Sequence, residues 1–253
     1  MVYGLWLSAD GLLGQQYRQD VIANNLANVD TPGFRPDRVA FAERLTESIS
    51  RVSVRTRHPV LDAATGGLFE TPVYTDFSVQ ANLIASSSPF DVAILDGGFL
   101  TVQTADGPRY TLDGRLTMDR DGTLRHAASG GAVVDARGKP ILLDPAAAGD
   151  TRIDASGRVF QGDTRVGELA LVGFEDRQRL EKVGRNLYDG QHANLIRSQG
   201  SVRQFAYEAS AVDAAATLVD MMAATRAYEM NASMITMQDE SLGRLVNDVG
   251  RIG

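Results

Sequence analysis

The C-terminal end of the chain carries the pattern that most constrains the fold. A heptad series runs from Leu218 to Val249, and its first and fourth positions are polar only at Thr225 and Asp239. Because the stretch contains no proline, the series predicts one long helix within residues 212–253. At about 1.5 Å per residue this helix would be about 55 Å long. A seam of that length needs a partner, either elsewhere in the chain or on a neighbouring molecule.

A second helix is predicted at the other end, from about Leu5 to Val29. Most of its first and fourth heptad positions are apolar, and the polar ones are serine and glutamine. Such side chains fit a helix seam but weaken it. We expect the helix to stop before Pro32, which ends the hydrogen-bond ladder, and Gly33, which tolerates positive φ. Residues 1–34 are therefore predicted to form a helix and a turn.

Between the helices, residues 73–190 lose the helical period and show short runs of β-forming residues separated by glycine turns. Asp-Gly pairs favour the type I′ turns of β-hairpins, because both central residues need positive φ. The pairs in this region are Asp96-Gly97, Asp106-Gly107, Asp113-Gly114 and Asp121-Gly122. So many tight turns in one stretch predict an antiparallel meander.

The remaining stretches have no clear period. Residues 35–72, which include Gly66-Gly67, are interpreted as an extended arm or loop, and residues 191–211 as a connector. The predicted fold class is α+β. Long helices, at residues 1–34 and 212–253, pair or form a coiled coil and flank a central antiparallel all-β domain. Periodicity alone leaves open whether the helices pair within one chain or between chains.

Composition disfavours several functional classes. The formal net charge is −7 and the basic residues are scattered singly, which argues against nucleic-acid binding. The chain has no cysteine, so cysteine nucleophiles and thiolate zinc sites are excluded. His58, His126 and His192 are far apart and have no second ligand at metal-binding spacing. We therefore expect no catalytic, cofactor-binding or metal-binding residues, and we interpret the chain as a non-enzyme.

Neither a classical signal peptide nor a membrane span is predicted. Residues Met1–Ser8 contain no basic stretch followed by a continuous apolar run. No segment approaches the roughly 18 apolar residues of a membrane-spanning helix. By these criteria alone the chain would be assigned to the cytoplasm.

Segments along the whole chain carry a resemblance to a known family. Residues 21–34 read Val-Ile-Ala-Asn-Asn-Leu-Ala-Asn-Val-Asp-Thr-Pro-Gly-Phe, which resembles the N-terminal signature of flagellar rod and hook proteins. Residues 226–231, Arg-Ala-Tyr-Glu-Met-Asn, resemble the C-terminal helix of the same family. Three central segments match its strand motifs in order, and these are Phe90–Ile94, Gly98–Val102 and Tyr110–Leu124. The chain thus resembles the flagellar basal-body rod/hook protein family over nearly its whole length.

The resemblance implies a structural subunit of the bacterial flagellar basal-body rod. Such a subunit polymerises through its terminal helices into the axial drive shaft that transmits torque. The implied partners are copies of itself, neighbouring rod and hook proteins and the flagellar export apparatus, with no nucleic acid, no membrane insertion and no cofactor. The implied location is the rod that spans the periplasm, reached by type III export without a cleaved signal peptide.

The chain length and one stretch of sequence indicate which type of protein within the family the chain resembles. Hook subunits have a much larger central region, so 253 residues indicate a rod protein. The stretch Leu45–Val73 departs from the pattern of the distal rod protein, so the proximal rod type is favoured over the distal rod type. The residues alone also allow an alternative, in which the β domain binds a polysaccharide or a protein and the helices form a dimerisation coil.

The predicted assembly interface lies in the two terminal signatures and on the heptad seams. The small and amide side chains of the N-terminal signature allow close approach and hydrogen bonds between neighbours. On the N-terminal side the predicted residues are Leu5, Leu12, Ile22, Asn24, Asn25, Leu26, Asn28, Thr31, Gly33 and Phe34. On the C-terminal side they are Leu218, Met221, Met222, Arg226, Tyr228, Glu229, Asn231, Ile235, Leu242 and Val246.

Overall fold

A computed structural model describes residues 2–43, 68–70, 73–198 and 200–249. Two long helices lie at the ends of the described chain, α1 over Val2–Ala27 and α2 over Ala214–Val249. They pack against each other, and the strand pairs between them in sequence are antiparallel. The predicted fold class is therefore confirmed.

The chain divides into two compact units. The helical unit contains α1, α2 and the described part of Asp37–Tyr74. The β unit contains Asn28–Pro36 and the described part of Thr75–Val212. The turn that follows α1 in sequence thus belongs to the β unit rather than to the helices.

Both helices have recognisable ends where they meet the rest of the chain. The carboxylate of Asp213 accepts hydrogen bonds from the main-chain N–H groups of Ala215 and Ala216, at 2.9 and 3.1 Å, and so caps α2. After α1, the Thr31 N–H donates to the Asn28 carbonyl at 3.1 Å, and the Thr31 hydroxyl donates to the Asn28 side chain at 3.1 Å. The predicted stop of the N-terminal helix before Pro32 agrees with the observed end at Ala27.

Four short strands lie around the predicted arm of residues 35–72. They are β1 (Asp37–Arg38), β2 (Phe41–Glu43), β3 (Leu68–Glu70) and β4 (Tyr74–Thr75). Strands β2 and β3 pair in antiparallel register, so the two ends of the arm are brought together. The rest of the predicted arm, residues 44–67 and 71–72, lies outside the described residues.

The β unit consists of short strands and two 3-10 helices, Pro145–Asp150 and Arg177–Arg179. Its first strands are β5 (Leu83–Ala85), β6 (Val92–Ile94), β7 (Phe99–Thr104), β8 (Gly107–Thr111), β9 (Leu116–Met118), β10 (Leu124–His126), β11 (Ala132–Val133) and β12 (Thr151–Ile153). The others are β13 (Arg158–Gln161), β14 (Thr164–Glu168), β15 (Leu171–Phe174), β16 (Glu181–Lys182), β17 (Tyr188–Asp189), β18 (Leu195–Arg197), β19 (Val202–Gln204) and β20 (Ala206–Glu208).

The largest sheet has the strand order β16-β17-β8-β7-β11-β10-β9, with β15 bridging β7 and β18. Strands β12, β13 and β14 form a separate meander, and β6 and β5 pair with β19 and β20. Two of the predicted Asp-Gly pairs, Asp106-Gly107 and Asp121-Gly122, stand at turns between strands that pair with each other, β7 with β8 and β9 with β10. Asp96 and Gly97 both have positive φ, at 59° and 76°, but they join β6 to β7, which do not pair with each other. Asp113-Gly114 does not form a hairpin turn. Gly114 packs against the main chain of Val92, and its carbonyl accepts a hydrogen bond from the Val92 N–H at 2.9 Å.

Residues 191–211, interpreted from the sequence as a connector, contain the three strands β18, β19 and β20. Each of these strands pairs with an earlier one, so the stretch is part of the β structure. The sequence did not reveal them because they are three residues long and mix polar with apolar side chains. Strands this short take their structure from the partner strand rather than from local propensity.

Two buried clusters fill the β unit. The larger is aliphatic and includes Val92, Leu100 and Leu124, which have no exposed surface. The second is aromatic, with Phe99 and Phe174 ring centroids 5.3 Å apart and Tyr110 and Phe174 centroids 4.9 Å apart, both pairs edge to face. Edge-to-face pairs add to the stabilisation that comes from burial alone. These clusters give the unit a core of its own.

Candidate assembly surface and the paired connections

The two terminal helices pack antiparallel along a seam of small and polar residues. A Cβ atom at Gly4 would lie 3.5 Å from Gln238 Nε2, and one at Gly11 would lie 3.5 Å from Asn231 Nδ2. The side chain of Gln238 also donates to the Ser8 hydroxyl at 3.3 Å. The numbers rise along α1 as they fall along α2, which fixes the antiparallel direction. Glycine on α1 allows amide side chains of α2 to approach its backbone.

About half of the α2 residues that face α1 are the predicted seam residues, and the others lie one position earlier in the sequence. Met221, Tyr228, Ile235 and Leu242 are partly buried, in agreement with their predicted seam positions. Leu218 is 48% exposed, and Thr225 and Asp239 are exposed as well. The residues one position earlier are turned inward instead, and these are Thr217, Ala224, Asn231 and Gln238. The physical reason at Asn231 and Gln238 is that Gly11 and Gly4 on α1 leave room for their amide side chains.

Other predicted interface residues of the helices have mixed exposure within the single chain. Ile22 is buried at 8% exposure, and Leu5, Leu12 and Leu26 are partly buried. Met222, Arg226 and Glu229 are exposed, as is Asn24. The side chain of Val246 is not among those that the structure describes. Contact of these residues with neighbouring subunits stays a prediction.

A row of apolar side chains lies on the exposed surface of α2. We call Val219, Met222, Met230 and Met237 the methionine face, since each is more than half exposed, at 60%, 54%, 63% and 60%. Their spacings of three, eight and seven residues place them along one side of the helix, away from the seam residues Ala224, Asn231 and Gln238. Large apolar side chains exposed together on one side of a helix mark interaction sites on soluble proteins, and methionine is adaptable at such surfaces.

Asn25 of the N-terminal signature has a role inside the chain. Its side-chain Nδ2 donates to the Asp37 carbonyl at 2.7 Å, and its Oδ1 accepts the Asp37 N–H at 2.8 Å. The amide thus behaves like the main chain of a neighbouring strand. Asn25 is 8% exposed, so both bonds are shielded from water.

The signature turn, residues Thr31 to Phe34, is held within the β unit of the same chain. Phe34 is 7% exposed and Pro32 and Gly33 are buried. Gly33 has a φ of +68°, and a Cβ atom there would lie 2.7 Å from the Asp113 main-chain N. Only glycine fits this position, because the backbone is left-handed and the space is filled. Contact of Thr31, Gly33 and Phe34 with neighbouring subunits stays a prediction, and within the chain the turn packs in the β unit.

Two residues absent from the predicted interface form a buried ion pair within the β unit. Arg35 Nη1 and Nη2 donate to Glu208 Oε1 and Oε2 at 2.8 and 3.0 Å, and the side chains are 7% and 1% exposed. A buried arginine requires a carboxylate nearby, but the burial of Arg35 is visible only in the structure. No sequence pattern indicated that the carboxylate would come from Glu208, which lies 173 positions away.

A buried polar cluster lies beside the signature turn. Asp113 is unexposed; its carboxylate accepts from Arg115 at 2.9 Å and lies 3.5 Å from His126 Nε2. Ser129 Oγ, which accepts the Gly131 N–H at 3.2 Å, lies 2.8 Å from His126 Nδ1. Burial raises the pKa of Asp113, but the contacts with His126 and Arg115 outweigh it and hold that pKa below its ordinary value.

The described residues show no arrangement suited to a metal. Across the described ranges, no group of three or more His, Asp or Glu side chains is placed to hold a metal ion. His58 lies outside those ranges. Neither described helix has a stretch that is long and apolar enough to cross a membrane.

Paired terminal helices with an exposed methionine face, joined to a β unit with its own core, define a structural assembly subunit. Comparison with known proteins specifies which kind. Residues 8–35 match the family described as flagella basal body rod protein, and residues 203–248 match the C-terminal family of flagellar basal body rod FlgEFG proteins.

Similarity to individual relatives extends over nearly the whole chain. It is 34% identical to the flagellar basal-body rod protein FlgG of Buchnera aphidicola subsp. Acyrthosiphon pisum, over 97% of this chain and 99% of the relative. It is 32% identical to the FlgG of Agrobacterium fabrum, over 93% and 95%. It is 31% identical to the rod protein FlgF of Caulobacter vibrioides, over 92% of both.

The chain belongs to the flagellar basal-body rod protein family. It is a structural subunit of the bacterial flagellar rod, as the terminal signatures predicted.

Proposed function

We propose that this subunit polymerises through its terminal helices and that the methionine face of α2 is buried against neighbouring subunits in the rod. The observation that carries the proposal is the exposure of Val219, Met222, Met230 and Met237 on one side of a long helix. Burial of each such side chain contributes about 1.5–3 kcal/mol. A few contacts of this kind, repeated in every subunit, suffice for a stiff polymer that transmits torque.

The partners and the location follow from this role. The proposed neighbours are copies of the same chain and other rod and hook proteins, and the subunit reaches the rod through the flagellar export apparatus without a cleaved signal peptide. Its formal net charge of −7 supports the expectation that nucleic acid is not a partner. We propose no catalytic activity and no cofactor, because the role is carried by packing surfaces.

The test is electron microscopy of basal bodies from cells that lack the gene, with the wild-type gene restored as the control. We expect a rod that stops short and carries no hook or filament. The stopping point places the subunit along the rod, where the proximal part is favoured over the distal part. Intact basal bodies and normal swimming, in cells without a duplicate gene, would contradict the proposal.

A further inference from the structure

The chain crosses between the two units four times, after Ala27, Pro36, Tyr74 and Val212. Two segments of the β unit that end at such a crossing, residues 31–36 and residues 206–212, are called the two connections here. They lie side by side within it. The Gly33 N–H donates to the Glu208 carbonyl at 2.9 Å, and the Ala211 N–H donates to the Phe34 carbonyl at 2.9 Å. The first connection follows α1 in sequence, and the second precedes α2.

The Arg35–Glu208 pair joins these two connections through their side chains. Glu208 Oε1 also accepts the main-chain N–H of Ala81 at 2.7 Å, so the carboxylate is held from two directions. On the other side, Lys182 donates to the Arg35 carbonyl at 2.7 Å, and its Nζ lies 4.0 Å from the centre of the Phe34 ring. The guanidinium and the carboxylate are therefore fixed by the body of the β unit as well as by each other.

A buried ion pair of this kind is expected to add little net stability to the fold. Removing two charges from water is costly, and apolar residues of similar volume often stabilise a protein as well as a buried ion pair does. Arg35 Nε is also buried with no hydrogen-bond partner among the described residues. What a bidentate pair supplies instead is a fixed geometry, because the planar guanidinium matches a carboxylate in one orientation.

We propose that Arg35 and Glu208 are positioning residues that lock the two connections together, so that force entering through one helix is shared by both connections. The inference rests on the structural role in the rod. A single extended connection would resist shear with its own backbone alone, whereas a clasped pair has to move as one. Apolar substitutes would preserve the packing but permit the two connections to slide past each other.

The test compares Arg35→Met/Glu208→Leu with Arg109→Met/Asp189→Leu in the full chain. Arg109 and Asp189 form another partly buried pair of the β unit, with Nη2 and Oδ2 3.4 Å apart, and they lie outside both connections. We expect both double variants to build rods of normal length. In medium thickened with methylcellulose, the Arg35/Glu208 variant should swim at least fivefold more slowly than wild type, and the Arg109/Asp189 variant within twofold of it.

Equal swimming speeds of the two variants at every viscosity would overturn the proposal. The deletion experiment tests a different point, namely whether the subunit is needed to build the rod. If the Arg35/Glu208 variant builds no rods, Glu208→Gln takes its place with the same expectation and the same refuting result.

Amide exchange of the purified chain gives an independent readout. Exchange at Gly33 and Ala211 should rise at least tenfold in the Arg35/Glu208 variant and stay unchanged at the β7–β8 pair; unchanged exchange at Gly33 and Ala211 would also overturn the proposal.

Discussion

The Asn25 side chain makes two hydrogen bonds to the main chain of Asp37. It donates to the Asp37 carbonyl at 2.7 Å and accepts from the Asp37 N–H at 2.8 Å. A motif residue predicted to contact neighbouring subunits thus closes the end of its own helix against the chain that follows. The same side chain is 8% exposed, so its replacement removes two hydrogen bonds that are shielded from water on the Asn25 side.

Asn25→Ala should destabilise the helical unit by about 1–3 kcal/mol, because it leaves the N–H and carbonyl of Asp37 without these two bonds. The direct measurement is hydrogen exchange at the Asp37 amide, which should accelerate. Gln16→Ala, at an exposed position of the same helix, serves as the control and should leave that amide unchanged. Equal protection of Asp37 in both variants would show that the bonds are not formed in solution.

Gly33→Ala should destabilise the β unit by about 2–5 kcal/mol. The change places a Cβ atom 2.7 Å from Leu112 C and from Asp113 N at a φ of +68°, so strain from the left-handed backbone adds to overpacking. Gly130→Ala is the matched control, since Gly130 has a φ of +72° and open space around it. It should cost only about 1–2 kcal/mol. Urea unfolding followed by circular dichroism measures both, and equal losses would refute the packing argument.

Gly11→Cys/Asn231→Cys should form an intramolecular disulfide under mild oxidation. The Cβ position at Gly11 is 3.8 Å from Asn231 Cγ, and the chain has no other cysteine to compete. Leu13→Cys/Asn231→Cys is the control, because Leu13 is 61% exposed. Non-reducing electrophoresis of the dilute purified protein reports the cross-link. Equal cross-linking of the two pairs would argue against the antiparallel register.

The stability of the β unit should fall in acid through Asp113. Its pKa is lower in the folded chain than the ordinary value of about 3.9, so the carboxylate stabilises the fold above that value. This contribution is lost as the pH falls below about 4 towards the folded pKa. Asp113→Asn should therefore lower stability at pH 7 and flatten its decline in acid, whereas exposed Asp163→Asn should do neither. Urea midpoints between pH 3 and pH 7 test this.

Met230→Glu/Met237→Glu should abolish rod assembly and leave the β unit folded. Two carboxylates on the methionine face cannot be buried without a large desolvation penalty. Thr225→Glu/Thr236→Glu adds the same charge at exposed positions of α2 outside that face and should assemble. Motility and electron microscopy give the readout in cells. Normal rods with the methionine variant would remove this face from the interface.

The fold class and the family were predictable because the terminal helices and the Asp-Gly turns follow local rules. The long helical period, the break at Pro32 and the alternation of β-formers with glycine each reflect backbone preferences that a sequence shows directly. Identity of the exact seam residues on α2 does not follow from such rules. Asn231 and Gln238 face α1 because Gly11 and Gly4 lie opposite them, and that pairing is a property of two distant segments.

The residues that contact the signature turn could not be predicted from the sequence either. Gly33 and Phe34 were predicted to belong to an assembly motif. In the structure the Gly33 N–H bonds to the Glu208 carbonyl, and the Phe34 carbonyl bonds to the Ala211 N–H, far along the chain. Burial of Arg35 depends on the same long-range meeting. Periodicity describes how a segment folds locally and carries no information about which distant residue will satisfy a buried charge.

The bond between Arg35 and Glu208 joins residues 173 positions apart, so it also sets an order of events in folding. A contact of such sequence separation closes a long loop and forms after the local hairpins. While a chain emerges with its N-terminus first, the Gly33 N–H and the Arg35 guanidinium lack their Glu208 partner until the last strand is available. The chain is thereby kept from completing its β unit early, which would suit the proposed passage through the flagellar export apparatus.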